Sequence, residues 1–119
     1  MPGGGLSIHA VDARDGRPAA GLRVEVFRRL ESGLIEVAAG RIGKDALLRA
    51  PQIEAEQEKG GYEVHFHAGD YFAERRHADD LPPLLDIIVF AFEIGDPSQH
   101  IHLPLKMTPV GYSLFKGDP

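Results

Sequence analysis

Leu6-Ser7-Ile8-His9-Ala10-Val11-Asp12 reads as a β-strand with one face committed to a core. Leu6, Ile8 and Ala10 fall on one side at period two, and Ser7, His9 and Val11 fall on the other, because successive strand side chains point to opposite faces. Outward along the chain the same period returns. Leu22, Val24 and Val26 alternate with Arg23, Glu25 and Phe27. Tyr62, Val64 and Phe66 alternate with Glu63, His65 and His67. Ile101, Leu103, Leu105 and Met107 alternate with His100, His102, Pro104 and Lys106. The stretch 85–92 is apolar on both faces, the pattern of a strand covered on both sides. Turn signals separate these runs: Asp15-Gly16, Lys59-Gly60-Gly61 and Gly95-Asp96-Pro97. One stretch, roughly 70–77, reads as a short helix with Asp70 near its N-cap. Many short strands at close spacing predict an all-β antiparallel sandwich.

Composition bounds the function. The 119 residues suit one domain, 1–119, with 1–5 and 118–119 flexible at its ends. A chain of this size buries roughly two-thirds of its unfolded surface, so contacts between copies can add to its stability. The net charge of -5 and the lack of a basic stripe argue against nucleic acid. Without cysteine there is no disulfide, thiolate metal site or cysteine nucleophile. No basic and apolar leader opens the chain and no run nears the ~18 apolar residues of a membrane span, so a cytoplasmic protein without membrane contact is expected. No P-loop, dinucleotide fingerprint or Ser-His-Asp arrangement is present.

Four segments in order resemble the 5-hydroxyisourate hydrolase branch of the transthyretin-like family. They are Leu6–Asp12 with Gly16-Arg17-Pro18-Ala19-Ala20-Gly21-Leu22, then Tyr62 to Phe72, then Asp96 to Leu105, and finally Thr108-Pro109-Val110-Gly111-Tyr112-Ser113. They span nearly the whole chain without large insertions. The resemblance implies a transthyretin-like β-sandwich of two four-stranded sheets with one short helix. It also implies a homotetramer with sites in the cleft between stacked dimers, and a small heterocyclic substrate. The implied reaction is hydrolysis of the lactam ring of 5-hydroxyisourate in urate breakdown, without a metal or organic cofactor.

The same resemblance assigns site residues. His9 and His102 match the family's two catalytic histidines. Imidazole suits proton transfer, since its ordinary pKa of about 6.5 lies near neutrality. His100, two positions from His102, reads as a solvated or interface side chain; an H-x-H pair joined by His9 could alternatively bind a metal. His65 and His67 read as surface residues. Ser113 aligns with a pocket hydroxyl, though a hairpin serine needs no such role.

Other positions depart from the family. Its Asp-Gly-Arg pattern falls on Asp45-Ala46-Leu47, which places Leu47 at the arginine position. Arg49, two residues on, shares the strand face at a displacement of about 6–7 Å. It reads equally as a surface charge. The family ends Tyr-Arg-Gly-Ser where this chain has Phe115-Lys116-Gly117-Asp118. Lysine there replaces a planar bidentate donor by a point charge. His9, His102, Arg49 and Ser113 are therefore the catalytic candidates, and Leu47, Phe115 and Lys116 the substrate-binding ones. The altered half of the pocket leaves two alternatives open: an enzyme for a different heterocycle, or a non-catalytic small-molecule binder.

Overall fold

Ten elements follow one another in the computed structural model, which describes residues 3–117. They are β1 (Leu6–Asp12), β2 (Arg17–Pro18), β3 (Arg23–Leu30), β4 (Gly33–Arg41), α1 (Pro51–Glu54), β5 (Gly60–Phe66), α2 (Ala68–Glu74), β6 (Ile88–Ile94), β7 (Ile101–Thr108) and β8 (Gly111–Leu114). Met1, Pro2, Asp118 and Pro119 lie outside the described residues, and with them the outermost parts of the expected flexible ends.

The strands form two four-stranded sheets, ordered β2-β1-β7-β8 and β4-β3-β5-β6. The alternation seen in the sequence is the alternation of burial. Leu6, Ile8 and Ala10 of β1 meet Leu103, Leu105 and Met107 of β7, Val24 and Val26 of β3, and Tyr62, Val64 and Phe66 of β5 in one core. Ser7, His9, Val11 and His102 stay half-buried on the outside. Every strand pair is antiparallel except one. β1 and β7 run parallel, with Ser7 beside His102 and His9 beside Pro104. Parallel partners need a long crossover, and here the whole second sheet lies between them in the chain.

Three local readings change. The two-sided apolar stretch 85–92 becomes β6 at 88–94, an edge strand whose outward Val89 is 48% exposed, so it is not covered on both faces within one chain. The helix spans Ala68–Glu74, burying Ala68, Tyr71 and Phe72 at i, i+3 and i+4. His67, and not Asp70, is its N-cap residue, and no side chain caps it. A further single turn, α1, begins with Pro51 at its first position, where a missing N–H costs nothing.

Gly4 and Gly5 are buried, although the sequence reading placed them in a flexible end. The Gly5 carbonyl accepts Ile101 N–H at 3.0 Å, and the Gly4 carbonyl accepts a bond from His100 Nδ1 at 2.9 Å. Both residues have positive φ, and a Cβ on Gly5 would lie 2.3 Å from the Glu54 carbonyl oxygen. Left-handed backbone costs an ordinary residue roughly 1–2 kcal/mol, and overpacking adds a further penalty of about 1–3 kcal/mol. Gly5→Ala should therefore cost about 2–4 kcal/mol of stability in urea melts. A loss under about 1 kcal/mol would show that this segment yields freely.

Candidate active site

The outer face of the β2-β1-β7-β8 sheet gathers most of the candidate residues. His9 projects from β1 and His102 from β7, with ring centroids 6.2 Å apart and planes tilted by 48°. Beside β1 runs the segment after Ile42. Gly43 N–H donates to the Leu47 carbonyl and Ala46 N–H to the Gly43 carbonyl, which closes a tight turn. Ala46 then takes φ +69°, a conformation normally reserved for glycine. The turn delivers Leu47 directly opposite His9 in an antiparallel bridge, so the two side chains share one face. The aligned arginine position is thus occupied by an isobutyl group beside the first histidine.

Arg49 and Leu47 line one cleft. That cleft encloses about 300 Å³ and is lined by Ser7, Leu47, Arg49, Glu54 and His100 among others. The guanidinium is turned toward Asp45, with Nη2 at 2.5 Å from Oδ2, and the side chain is 70% exposed. The Leu47 N–H and then Arg49 hold the Asp45 carboxyl below its ordinary range. Arg49 therefore shares a cleft with Leu47, Ser7 and His100 while its charge is shared with a surface carboxylate.

β8 supplies the other side. Ser113 is opposite Lys106 and exposed on the same outer face as His102. Among the described residues no side-chain hydrogen bond joins it to either histidine. Phe115 is 55% exposed, and Lys116 is exposed too. The strand's end is tied down through Gly117, whose N–H donates to the His102 carbonyl at 2.8 Å. A Cβ on Gly117 would come within 3.2 Å of the His102 ring, so the tail passes close over that imidazole.

One residue of this face, Ser7, has no role in the sequence reading, and it bridges two histidines. Ser7 Oγ lies 2.8 Å from His100 Nε2 and 2.6 Å from His102 Nδ1. His100, expected as a solvated or interface side chain, is half-buried in the single chain and bonded at both ring nitrogens. The signal for Ser7 was its place two residues before His9 on one strand face. Its partner was invisible, because the pairing of β1 with β7 joins residues about ninety positions apart. Burial lowers the pKa of His102, and the neighbouring His9 and His100 lower it further. Among the described residues, no group of three or more His, Cys, Asp or Glu is placed to hold a metal ion. His65 lies on the other sheet and His67 at the start of α2, bonded to Glu63 and Glu25 respectively. A second hollow, lined by Arg23, Arg41, His67 and Tyr71 among others, encloses about 40 Å³. No helix among the described residues is long and apolar enough to cross a membrane.

The HIUase/Transthyretin family matches over residues 6–117. A 5-hydroxyisourate hydrolase of Deinococcus radiodurans is 40% identical over 114 residues, covering 95% of each chain. One of Halalkalibacterium halodurans is 34% identical, covering 96% of this chain and 98% of its own. The solved Klebsiella pneumoniae 5-hydroxyisourate hydrolase superposes with a TM-score of 0.80 at 26% identity, covering 97% of this chain and 99% of that one. An (S)-allantoin synthase superposes with a TM-score of 0.84 at 30% identity, covering 97% of this chain but 44% of that longer one. Matched in sequence and in fold along nearly its whole length, the chain belongs to the HIUase/Transthyretin family.

Proposed function

We propose that this chain hydrolyses 5-hydroxyisourate, opening its lactam ring in urate breakdown. The observation that carries the reading is the pair His9 and His102, side by side on one sheet face at 6.2 Å. His9 takes a proton from water as the oxygen attacks the ring carbonyl. The carbon–nitrogen bond then breaks, and His9 returns the proton to the leaving ring nitrogen. His102 accepts a ring N–H and orients the substrate. Arg49 and Lys116 bring positive charge toward the developing oxyanion, and Ser113 offers a hydroxyl at the rim. Freshly generated 5-hydroxyisourate, followed by loss of its ultraviolet absorbance, should disappear faster than its spontaneous decay. A rate equal to the spontaneous one refutes the proposal and leaves a binding role.

One observation favours a second reading, an enzyme for a related but less polar ring. Leu47 stands opposite His9, and Phe115, just after β8, presents an exposed aromatic ring. Polar edges of a substrate lose water there without gaining partners. Leu47→Arg with Phe115→Tyr and Lys116→Arg should then raise activity on 5-hydroxyisourate, and Arg49→Ala should lower it. Strong activity that responds to neither change removes the second reading.

The working form in this proposal is a homotetramer. In one chain the site lies on an open sheet face, and water is excluded from it only when a second copy covers that face. Light scattering coupled to gel filtration should give four chains per particle. An active monomer at micromolar concentration would contradict it.

A further inference from the structure

Ser7, His100 and Gly4 form a chain of hydrogen bonds that ends on His102, and its direction can be worked out from one end. The Gly4 carbonyl oxygen, 2.9 Å from His100 Nδ1, can only accept, so Nδ1 carries a hydrogen. In the neutral ring His100 Nε2 is then bare and accepts. Its partner at 2.8 Å is Ser7 Oγ, which spends its one hydrogen on that bond. What the hydroxyl has left are lone pairs. His102 Nδ1, 2.6 Å away, must therefore donate to it. A neutral imidazole with its proton on Nδ1 has a bare Nε2. Among the described residues that Nε2 has no hydrogen-bond partner.

We propose that Ser7 and His100 are positioning residues that hold His102 in its Nδ1–H tautomer, so that Nε2 is a ready acceptor for the substrate. The assignment rests on the hydrolase reading for its catalytic consequence, but the tautomer itself does not depend on it. Each link is placed by backbone that has little freedom. Ser7 sits level with His102 in the parallel β1–β7 register, and Gly4 and Gly5 hold the strand entry in buried positive-φ conformations that other residues resist. The lowered pKa of His102 points the same way, since a neutral ring is the one that has a tautomer to choose.

The test is imidazole ¹⁵N NMR of the ¹⁵N-histidine-labelled full chain above pH 7, joined to kinetics with 5-hydroxyisourate. His102 should show a protonated Nδ1 and a bare Nε2. In His100→Ala the Ser7 hydroxyl is freed to donate to Nδ1, and His102 should shift toward Nε2–H. In Ser7→Ala the preference should disappear and kcat should fall roughly ten- to a hundredfold, with KM little changed. Ser7→Thr, which keeps a hydroxyl, should restore most of that loss. A wild-type His102 found as Nε2–H, or a tautomer unmoved by both His100→Ala and Ser7→Ala, overturns the proposal. A chain with the expected tautomer but no turnover of 5-hydroxyisourate keeps the assignment and refutes the hydrolase reading, so the two failures are distinguishable.

Discussion

His9→Ala and His102→Ala should each lower turnover of 5-hydroxyisourate by roughly a hundredfold or more while the fold survives. A positioned proton-transfer group is worth about 10²–10⁴ in rate, and a hundredfold corresponds to about 2.7 kcal/mol of barrier. The fold should tolerate both changes because neither side chain belongs to the buried core. Circular dichroism and melting temperature would confirm native folding before the kinetics are read. Wild-type rates from both variants would remove the histidines from the mechanism. The protonation of His102 adds a second expectation. Its pKa lies below the ordinary 6.5, chiefly through burial, so an NMR titration should show it gaining its proton only below that pH. In that window the unfolded chain binds more protons than the folded one, so this group's effect is to lower stability as pH falls below about 6.5.

Asp12→Ala should produce the largest stability loss of a single polar substitution, about 3 kcal/mol or more. Asp12 closes β1 and is fully buried. Its Oδ1 accepts the Arg14 and Asp15 N–H groups at 3.0 and 3.1 Å, and its Oδ2 accepts the Tyr71 hydroxyl at 3.0 Å. Alanine would strand three donors, one of them the hydroxyl of a tyrosine that is only 3% exposed. The orphaned buried hydroxyl costs about 1–3 kcal/mol, and the loss of two part-buried bonds to a charged carboxylate adds to it, against a total stability of about 5–15 kcal/mol for a domain. The link also joins the first sheet to α2, so the loss should loosen the helix locally. Tyr71→Phe removes one donor and should cost roughly 1 kcal/mol. A chemical melt in which Asp12→Ala loses less than about 1 kcal/mol would show that water or a neighbouring group replaces the carboxylate.

Much of this molecule can be read from the order of its residues. Leu6, Ile8 and Ala10, and Leu103, Leu105 and Met107, announce strands because burial on one sheet face imposes period two on the sequence itself. The same parity places His9 and His102 outside the core. β4 was not legible: its residues Gly33 to Val37 are mostly exposed, so no face is selected for apolar side chains and no period is written. Nor could β6 be recognised as an edge strand, since an apolar strand at a sheet's edge and one at its centre have the same composition. What required the folded chain was contact between distant segments. That Leu47 stands against His9 depends on a tight turn and its left-handed Ala46. That Ser7 joins His100 to His102 depends on a parallel pairing whose register is set by the packing of two sheets. Local sequence encodes which face a side chain takes, because that is a property of neighbouring residues. It does not encode which strand lies alongside, because that is settled by the whole core at once.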